Sequence, residues 1–134
     1  MALVNQHTSP GDDHARSRFV DVSDDSRAKA FYARALAPLG YKVISEYEGG
    51  FGVGADNGSA VWVAKGRPQQ PIAHLAFRAA NRQQVAEFHK AALAAGGRDN
   101  GKPGPRESYS PTYFAAFVLD PDGNNVEAVC HAAA

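Results

Sequence analysis

The sequence is poor in cysteine, since Cys130 is the single one among 134 residues. One thiol excludes a disulfide within the chain, and it also excludes the zinc motifs that need several cysteines. Charge of one sign is not in excess either, because fourteen basic residues balance fourteen acidic residues. A chain with balanced charge has no general attraction for nucleic acid or for an anionic membrane, so we expect neither as a partner.

Long apolar runs are absent as well. No segment approaches the roughly 18 apolar residues of a membrane span. The opening residues, MALVNQHTSPGDDHAR, lack the apolar stretch of a signal peptide, so we expect a cytoplasmic protein. Residues 1–15 are polar, with Pro and Gly, and they are expected to form a mobile arm. Residues 16–131 suffice for one domain with a hydrophobic core.

Two amphipathic helices are predicted by apolar side chains at helical spacing. The first helix presents Ala28, Phe31, Tyr32, Ala35, Leu36 and Leu39. The second presents Val85, Phe88, His89, Ala92, Leu93 and Gly96. Ser23 or Asp24 can cap the first helix, and Gly40 can end it. Asn81 can cap the second helix, for which Gly97 is the expected stop.

The two helical segments belong to an internal repeat. Equivalent positions, such as Gly40 and Gly97, lie 57 residues apart. One strand-like stretch precedes each helix and three follow it, separated by turn signals, with a longer Gly/Pro loop at residues 99–111. The order β-α-β-β-β therefore occurs twice, over residues 16–66 and 71–131. We expect an α+β domain with two curved mixed sheets, each with one helix on its outer face.

Strand alternation singles out one histidine and one glutamate. In the fifth and eighth predicted strands the apolar residues share the face that suits packing beneath a helix: Leu75, Phe77, Val126, Ala128 and Cys130. His74 and Glu127 fall on the opposite face, where we expect them to be neighbours. A strand glutamate can also point to water, and a strand histidine can be purely structural. Spacing alone leaves these alternatives open.

The segments VSDDSRAKAFYARALAPLGY, HLAF and FVLDPDGNNVEAVCH, within paired modules, resemble the glyoxalase/bleomycin-resistance/dioxygenase superfamily. It is also called the vicinal oxygen chelate superfamily. The resemblance covers about residues 17–131 and implies a cupped pocket that usually holds a divalent metal. It implies His74 and Glu127 as metal ligands, for zinc, nickel, manganese or iron, and Glu127 as the catalytic candidate. Modules of this family pair edge to edge, so we expect a homodimer.

The sequence departs from the family pattern at two ligand positions. The repeat places Ser17 at the position equivalent to His74, and a serine hydroxyl is a poor ligand for zinc, iron or nickel. Trp62 is equivalent to Glu127, and its indole cannot coordinate a metal. None of the other histidines is well placed as a third ligand: His7, His14, His89 and His131. We therefore expect any metal binding to be weak.

Two functions fit these residues. One is a metal-dependent lyase, isomerase or dioxygenase-like enzyme with a degenerate metal site, acting on a small molecule. The other is a metal-free binding protein of the bleomycin-resistance type, with His74 and Glu127 as a hydrogen-bonded pair. Ser17 favours the second. The residues expected to contact the ligand are Phe19, Trp62, Arg106, Tyr109 and Tyr113.

Overall fold

The computed structural model describes residues 17–56, 58–67 and 73–131, and for Ser17 and Arg18 the backbone alone. The expected arm, residues 1–15, lies outside this part. The first module contains β1 (Ser17–Val22), α1 (Asp25–Leu36), β2 (Lys42–Tyr47), β3 (Gly50–Gly54) and β4 (Ala60–Lys65). The second contains β5 (His74–Arg78), α2 (Arg82–Ala94), β6 (Arg98–Pro105), β7 (Phe114–Leu119) and β8 (Asn125–Cys130). The predicted order of elements, repeated twice, is confirmed.

Each module forms one four-stranded mixed sheet. The strand order is β1-β4-β3-β2 in sheet one and β5-β8-β7-β6 in sheet two. The first and last strands of each module are parallel neighbours, and the other pairs are antiparallel. The last strand of each module therefore lies inside its sheet, with a neighbour on both sides.

The first helix begins and ends as its sequence predicts. Asp24 accepts a hydrogen bond from the backbone N–H of Arg27 at 3.1 Å and thereby caps α1. All six residues of its predicted apolar face are buried. After a short 3-10 turn (Ala37–Leu39), the chain reverses at Gly40, where φ is 89°.

The second helix differs in detail from its prediction. Asn81 caps α2 by accepting from the N–H of Gln84 at 2.8 Å, as expected. The left-handed residue that follows the helix is Gly96, with φ 103°, rather than Gly97. Leu93, expected on the buried face, is 36% exposed. The buried face of α2 is therefore narrower than helical spacing predicted.

The two helices pack against each other in a single core. A Cβ atom at Gly97 would lie 2.7 Å from the ring of Phe31 and 2.5 Å from Val118, so α1 reaches residues of the second module. The rings of Tyr41 and Phe77 meet edge to face, 5.2 Å apart. As expected, each helix packs on one face of its own sheet, opposite the face that carries the candidate site. The helix-bearing faces of both sheets line one core, and their other faces, called here the outward faces, point away from it.

Polar contacts also join the two modules. The Tyr32 hydroxyl on α1 donates to the buried Asp120 carboxylate after β7, at 2.5 Å. The Ser23 hydroxyl, just before α1, donates to Asp122 in the β7–β8 turn at 2.6 Å. These bonds hold α1 and the residue before it against the segment that leads from β7 into β8.

Sheet two has an irregular edge strand, β6. Much of the segment predicted as a Gly/Pro loop is strand up to Pro105, with two shifts of register against β7. An edge strand tolerates Pro103 and Pro105 because one side of its backbone needs no partner. The connection into β7 is consequently short, and it holds Arg106 and Tyr109 close to the sheet.

Among the described residues, neither helix is long and apolar enough to cross a bilayer.

Candidate functional site

Glu127 lies in the middle of β8 on the outward face of sheet two. Its register partners are Ala76 on β5 and Phe117 on β7. The side chain is buried, with 1% exposure. Burial of a carboxylate is unfavourable unless other groups replace the water that it loses.

Two side chains replace that water. Nε2 of His74 lies 2.9 Å from Oε1 of Glu127, and the Tyr113 hydroxyl donates to Oε2. Each carboxylate oxygen thus has a protein partner, which offsets much of the desolvation cost. The expected proximity of His74 and Glu127 is present in the structure, and Tyr113 joins them.

Tyr113 acts as a neutral donor. The pKa of Tyr113 is raised well above its ordinary value of 10.0. Burial is the largest cause, and the hydrogen bond to Glu127 and the negative charge of that residue add to it. Tyr113 was expected to contact the ligand, but its bond to Glu127 was not predicted. Strand alternation offered a signal, because Tyr113 has the same parity as Ala115 and Phe117 on the strand that pairs with β8.

Aromatic rings and the Arg106 guanidinium lie beside this group. The Phe117 ring lies 6.4 Å from the His74 ring, and the Arg106 guanidinium carbon lies 5.4 Å from the centre of the Phe117 ring. The rings of Tyr109 and Tyr113 meet edge to face at 4.8 Å, and Tyr109 is 63% exposed. Arg106 and Tyr109 therefore lie at the rim of the His74–Glu127–Tyr113 group.

Phe19 and Trp62 lie on the other sheet. They are register partners on β1 and β4, as Ala76 and Glu127 are on β5 and β8, which agrees with the predicted repeat. The indole of Trp62 covers Gly52, where an added Cβ atom would lie 2.5 Å from the ring. Phe19 is 76% exposed on the outward face. No ring contact of the described residues joins this pair to His74 or Tyr113 within one chain.

The remaining histidines do not join Glu127 as ligands in the part of the chain that the structure describes. His89 on α2 lies 3.0 Å from Asp99 Oδ1 on β6. The ring of His131 meets that of Tyr113 edge to face at 5.2 Å. His7, His14 and the side chain of Ser17 fall outside the described residues.

The donor set fits a metal ion only in part. Two ligand atoms that sit about 2.1 Å from an ion, at a right angle, lie roughly 3 Å apart. His74 Nε2 and Glu127 Oε1, at 2.9 Å, match that separation. Among the described residues, however, no group of three His, Cys, Asp or Glu side chains could hold a metal ion. The pair is thus one ligand short of the three protein ligands typical of catalytic zinc.

A family model extends over this whole arrangement. The model of the Glyoxalase/Bleomycin resistance protein/Dioxygenase superfamily matches residues 13–128. The chain belongs to this superfamily. A comparison with curated proteins finds no match.

Solved structures of the superfamily share the fold. A glyoxalase/bleomycin resistance protein from Albidiferax ferrireducens is 24% identical, covers 85% of this chain and 95% of its own, and has a TM-score of 0.72. A glyoxalase/bleomycin resistance protein/dioxygenase family enzyme from Burkholderia phytofirmans is 15% identical, with a TM-score of 0.71. The match covers 87% of this chain and 98% of the Burkholderia chain. At these identities the likeness shows the fold alone.

Proposed function

We propose that this superfamily member binds a small organic molecule on the outward face of sheet two and needs no tightly held metal to do so. One observation carries the proposal. The buried carboxylate of Glu127 is already engaged by His74 on one oxygen and by Tyr113 on the other. A carboxylate held in this way serves as a fixed support for the imidazole beside it.

His74 is the polar group that the ligand meets. Nε2 of His74 is hydrogen-bonded to Oε1 of Glu127 at 2.9 Å, and this bond fixes the orientation of the ring. The His74 side chain is 44% exposed, so a ligand can reach it. Phe117 and Tyr109 supply apolar contact nearby, a combination typical of small-molecule sites.

We propose that zinc, nickel, manganese or iron binds weakly. A ring nitrogen that donates a hydrogen bond has no lone pair for a metal ion. An ion that uses Nε2 of His74 must therefore first break the bond to Glu127. Two protein ligands, rather than three, offset only part of the free energy that is needed to break this hydrogen bond.

A metal-dependent lyase, isomerase or dioxygenase-like enzyme is the second candidate. The separation of 2.9 Å between His74 Nε2 and Glu127 Oε1 favours it, because the two atoms suit adjacent ligand positions. A bound ion would supply polarisation of vicinal oxygens on a small substrate. Glu127 would be the residue that carries a proton, since it is the carboxylate beside the ligand position.

We also propose a homodimer. The outward face of sheet one exposes large apolar side chains, namely Phe19, Ile44 and Tyr47. Exposed apolar faces and unpaired sheet edges favour association. The two outward faces of one chain point away from a shared core, so Phe19 and Trp62 of a second copy are better placed to face His74 and Glu127. Such pairing would close the cupped pocket.

Binding of catechol to protein treated with a chelator tests the small-molecule site. We expect titration by NMR to shift the amide signals of β5, β7 and β8. His74→Ala should weaken binding at least about fivefold, because it removes a hydrogen-bonding group of the site. His89→Ala is the matched control, since it also removes a histidine paired with a carboxylate. Equal binding by wild type and His74→Ala would contradict the proposal.

A further inference from the structure

We infer that the ligand of this site is a small organic anion and that Arg106 recognises its carboxylate. The inference rests on the proposed small-molecule site of sheet two and adds the charge of the ligand. It starts from the position of one cation on the outward face.

The Arg106 side chain turns back over β6. Gly101 is the register partner of Phe117, and a Cβ atom at Gly101 would lie 3.2 Å from Nη2 of Arg106. A Cβ atom at Gly104 would lie 3.1 Å from Nη1. The guanidinium therefore occupies space that glycines leave open, on the face that carries Phe117 and Glu127.

The backbone fixes this guanidinium. Nη2 of Arg106 donates to the carbonyl of Lys102 at 2.8 Å, and Nη1 donates to the carbonyl of Pro105 at 3.2 Å. The Phe117 ring supports the same group as a cation–π partner. A side chain that is held before binding loses little entropy when it meets a ligand. Guanidinium has five N–H donors, and the two carbonyl bonds account for two of them.

The charge of Arg106 is not neutralised by an acidic neighbour. Among the ion pairs of the described residues, none involves Arg106. The nearby carboxylate, Glu127, is buried and bonded to His74 and Tyr113. An anion at the rim therefore meets an uncompensated cation rather than an ion pair that it must break.

The spacing of the groups defines the ligand. The ring of Phe117 neighbours both the imidazole of His74, at 6.4 Å, and the guanidinium of Arg106, at 5.4 Å. A molecule about the size of a substituted benzene ring can lie beside Phe117 and reach both groups. A carboxylate fits best at Arg106, because its two oxygens match the planar N–H fork of guanidinium.

Benzoate and benzamide, which have the same shape and differ in charge, test this inference. We expect wild-type protein to bind benzoate about five- to tenfold more tightly than benzamide, with both probes shifting the amide signals of β7 and β8. Arg106→Gln should abolish the preference, because benzoate binding should fall to the level of benzamide binding in the same variant. Lys102→Gln is the control, because it removes the same charge from an exposed neighbour and should retain the preference. Arg106→Lys keeps the charge without the fork and should give an intermediate preference.

Three results would overturn the inference. Equal affinity of wild type for both probes would refute the anionic ligand and leave the small-molecule site standing. A benzoate preference as large as that of the wild type in both Arg106→Gln and Arg106→Lys would refute the role of Arg106. Absence of shifts in β7 and β8 with either probe would refute both this inference and the proposed site. If Arg106→Gln fails to fold, Arg106→Lys is compared with the wild type instead. A benzoate preference that is equal in the two proteins would then refute the role of Arg106.

Discussion

Tyr113 donates its hydroxyl hydrogen to the buried carboxylate of Glu127, fourteen residues further along the chain. The bond joins the segment that enters β7 to the centre of β8. Because the pKa of Tyr113 is raised by burial and by Glu127, the phenol stays protonated and remains a donor at neutral pH. Tyr113 thereby supports the carboxylate that orients His74.

Tyr113→Phe should destabilise the fold by about 1–3 kcal/mol, because it leaves one oxygen of a buried carboxylate without its donor. Urea unfolding measures the change. Tyr109→Phe is the control: that side chain is largely exposed and should change stability by less than about 0.5 kcal/mol. Equal stability of wild type and Tyr113→Phe would show that the hydroxyl contributes nothing to the fold.

Stability should fall in alkaline solution. The folded-state pKa values of Tyr32, Tyr41 and Tyr113 are all raised above 10.0, for each chiefly by burial. The unfolded chain therefore loses these phenolic protons first as pH rises. The contribution of these tyrosines to the free energy of unfolding is complete below pH 10.0. It is lost as pH rises through their higher folded-state pKa values. Melting temperatures measured from neutral pH to above 10.0 should decline, and Tyr32→Phe should flatten the decline. A constant melting temperature would contradict this expectation.

Much of the fold was predictable because it depends on local patterns. The offset of 57 residues located both modules, and strand alternation placed His74 and Glu127 on one face. The relative position of the modules was not predictable in this way. It depends on contacts such as the hydrogen bond from Tyr32 to Asp120, which link residues far apart in the sequence.

The site was predictable for strand residues and less so for connecting segments. Glu127 lies in a regular strand, where alternation fixes the direction of the side chain. Arg106 follows an edge strand with two shifts of register, so alternation gives no direction for it. Its position over Phe117 results from glycines and backbone carbonyls that the chain brings together only when β6 pairs with β7.

Gly52→Ala should displace the indole of Trp62. An added Cβ atom at this position would lie 2.5 Å from the indole ring, which is too close for contact without movement. We expect a loss of about 1–3 kcal/mol in stability and a change in the fluorescence of the protein's single tryptophan. Gly54→Ala is the matched control on the same strand, because its Cβ atom would meet the flexible end of Ile44. An unchanged spectrum in Gly52→Ala would contradict the described position of Trp62.

Phe19→Ser should weaken the proposed homodimer. The large side chain of Phe19 is 76% exposed in the single chain, so burial in an interface would add to the free energy of association. Sedimentation of the wild type at micromolar concentration should show twice the 14.2 kDa mass of the chain, and Phe19→Ser should shift the protein toward monomer. Leu93→Ser, on a helix rather than on the outward face, should leave the dimer intact. A wild type that sediments only as monomer would oppose the proposal.

The affinity of catechol, measured by calorimetry in chelator-treated protein and again with zinc added, tests the central claim most directly. If His74, Glu127 and Tyr113 form a metal-free binding site, the two dissociation constants should agree within about twofold, a difference of roughly 0.4 kcal/mol. Binding that occurs only when zinc is present would contradict the account and would establish the metal-dependent alternative.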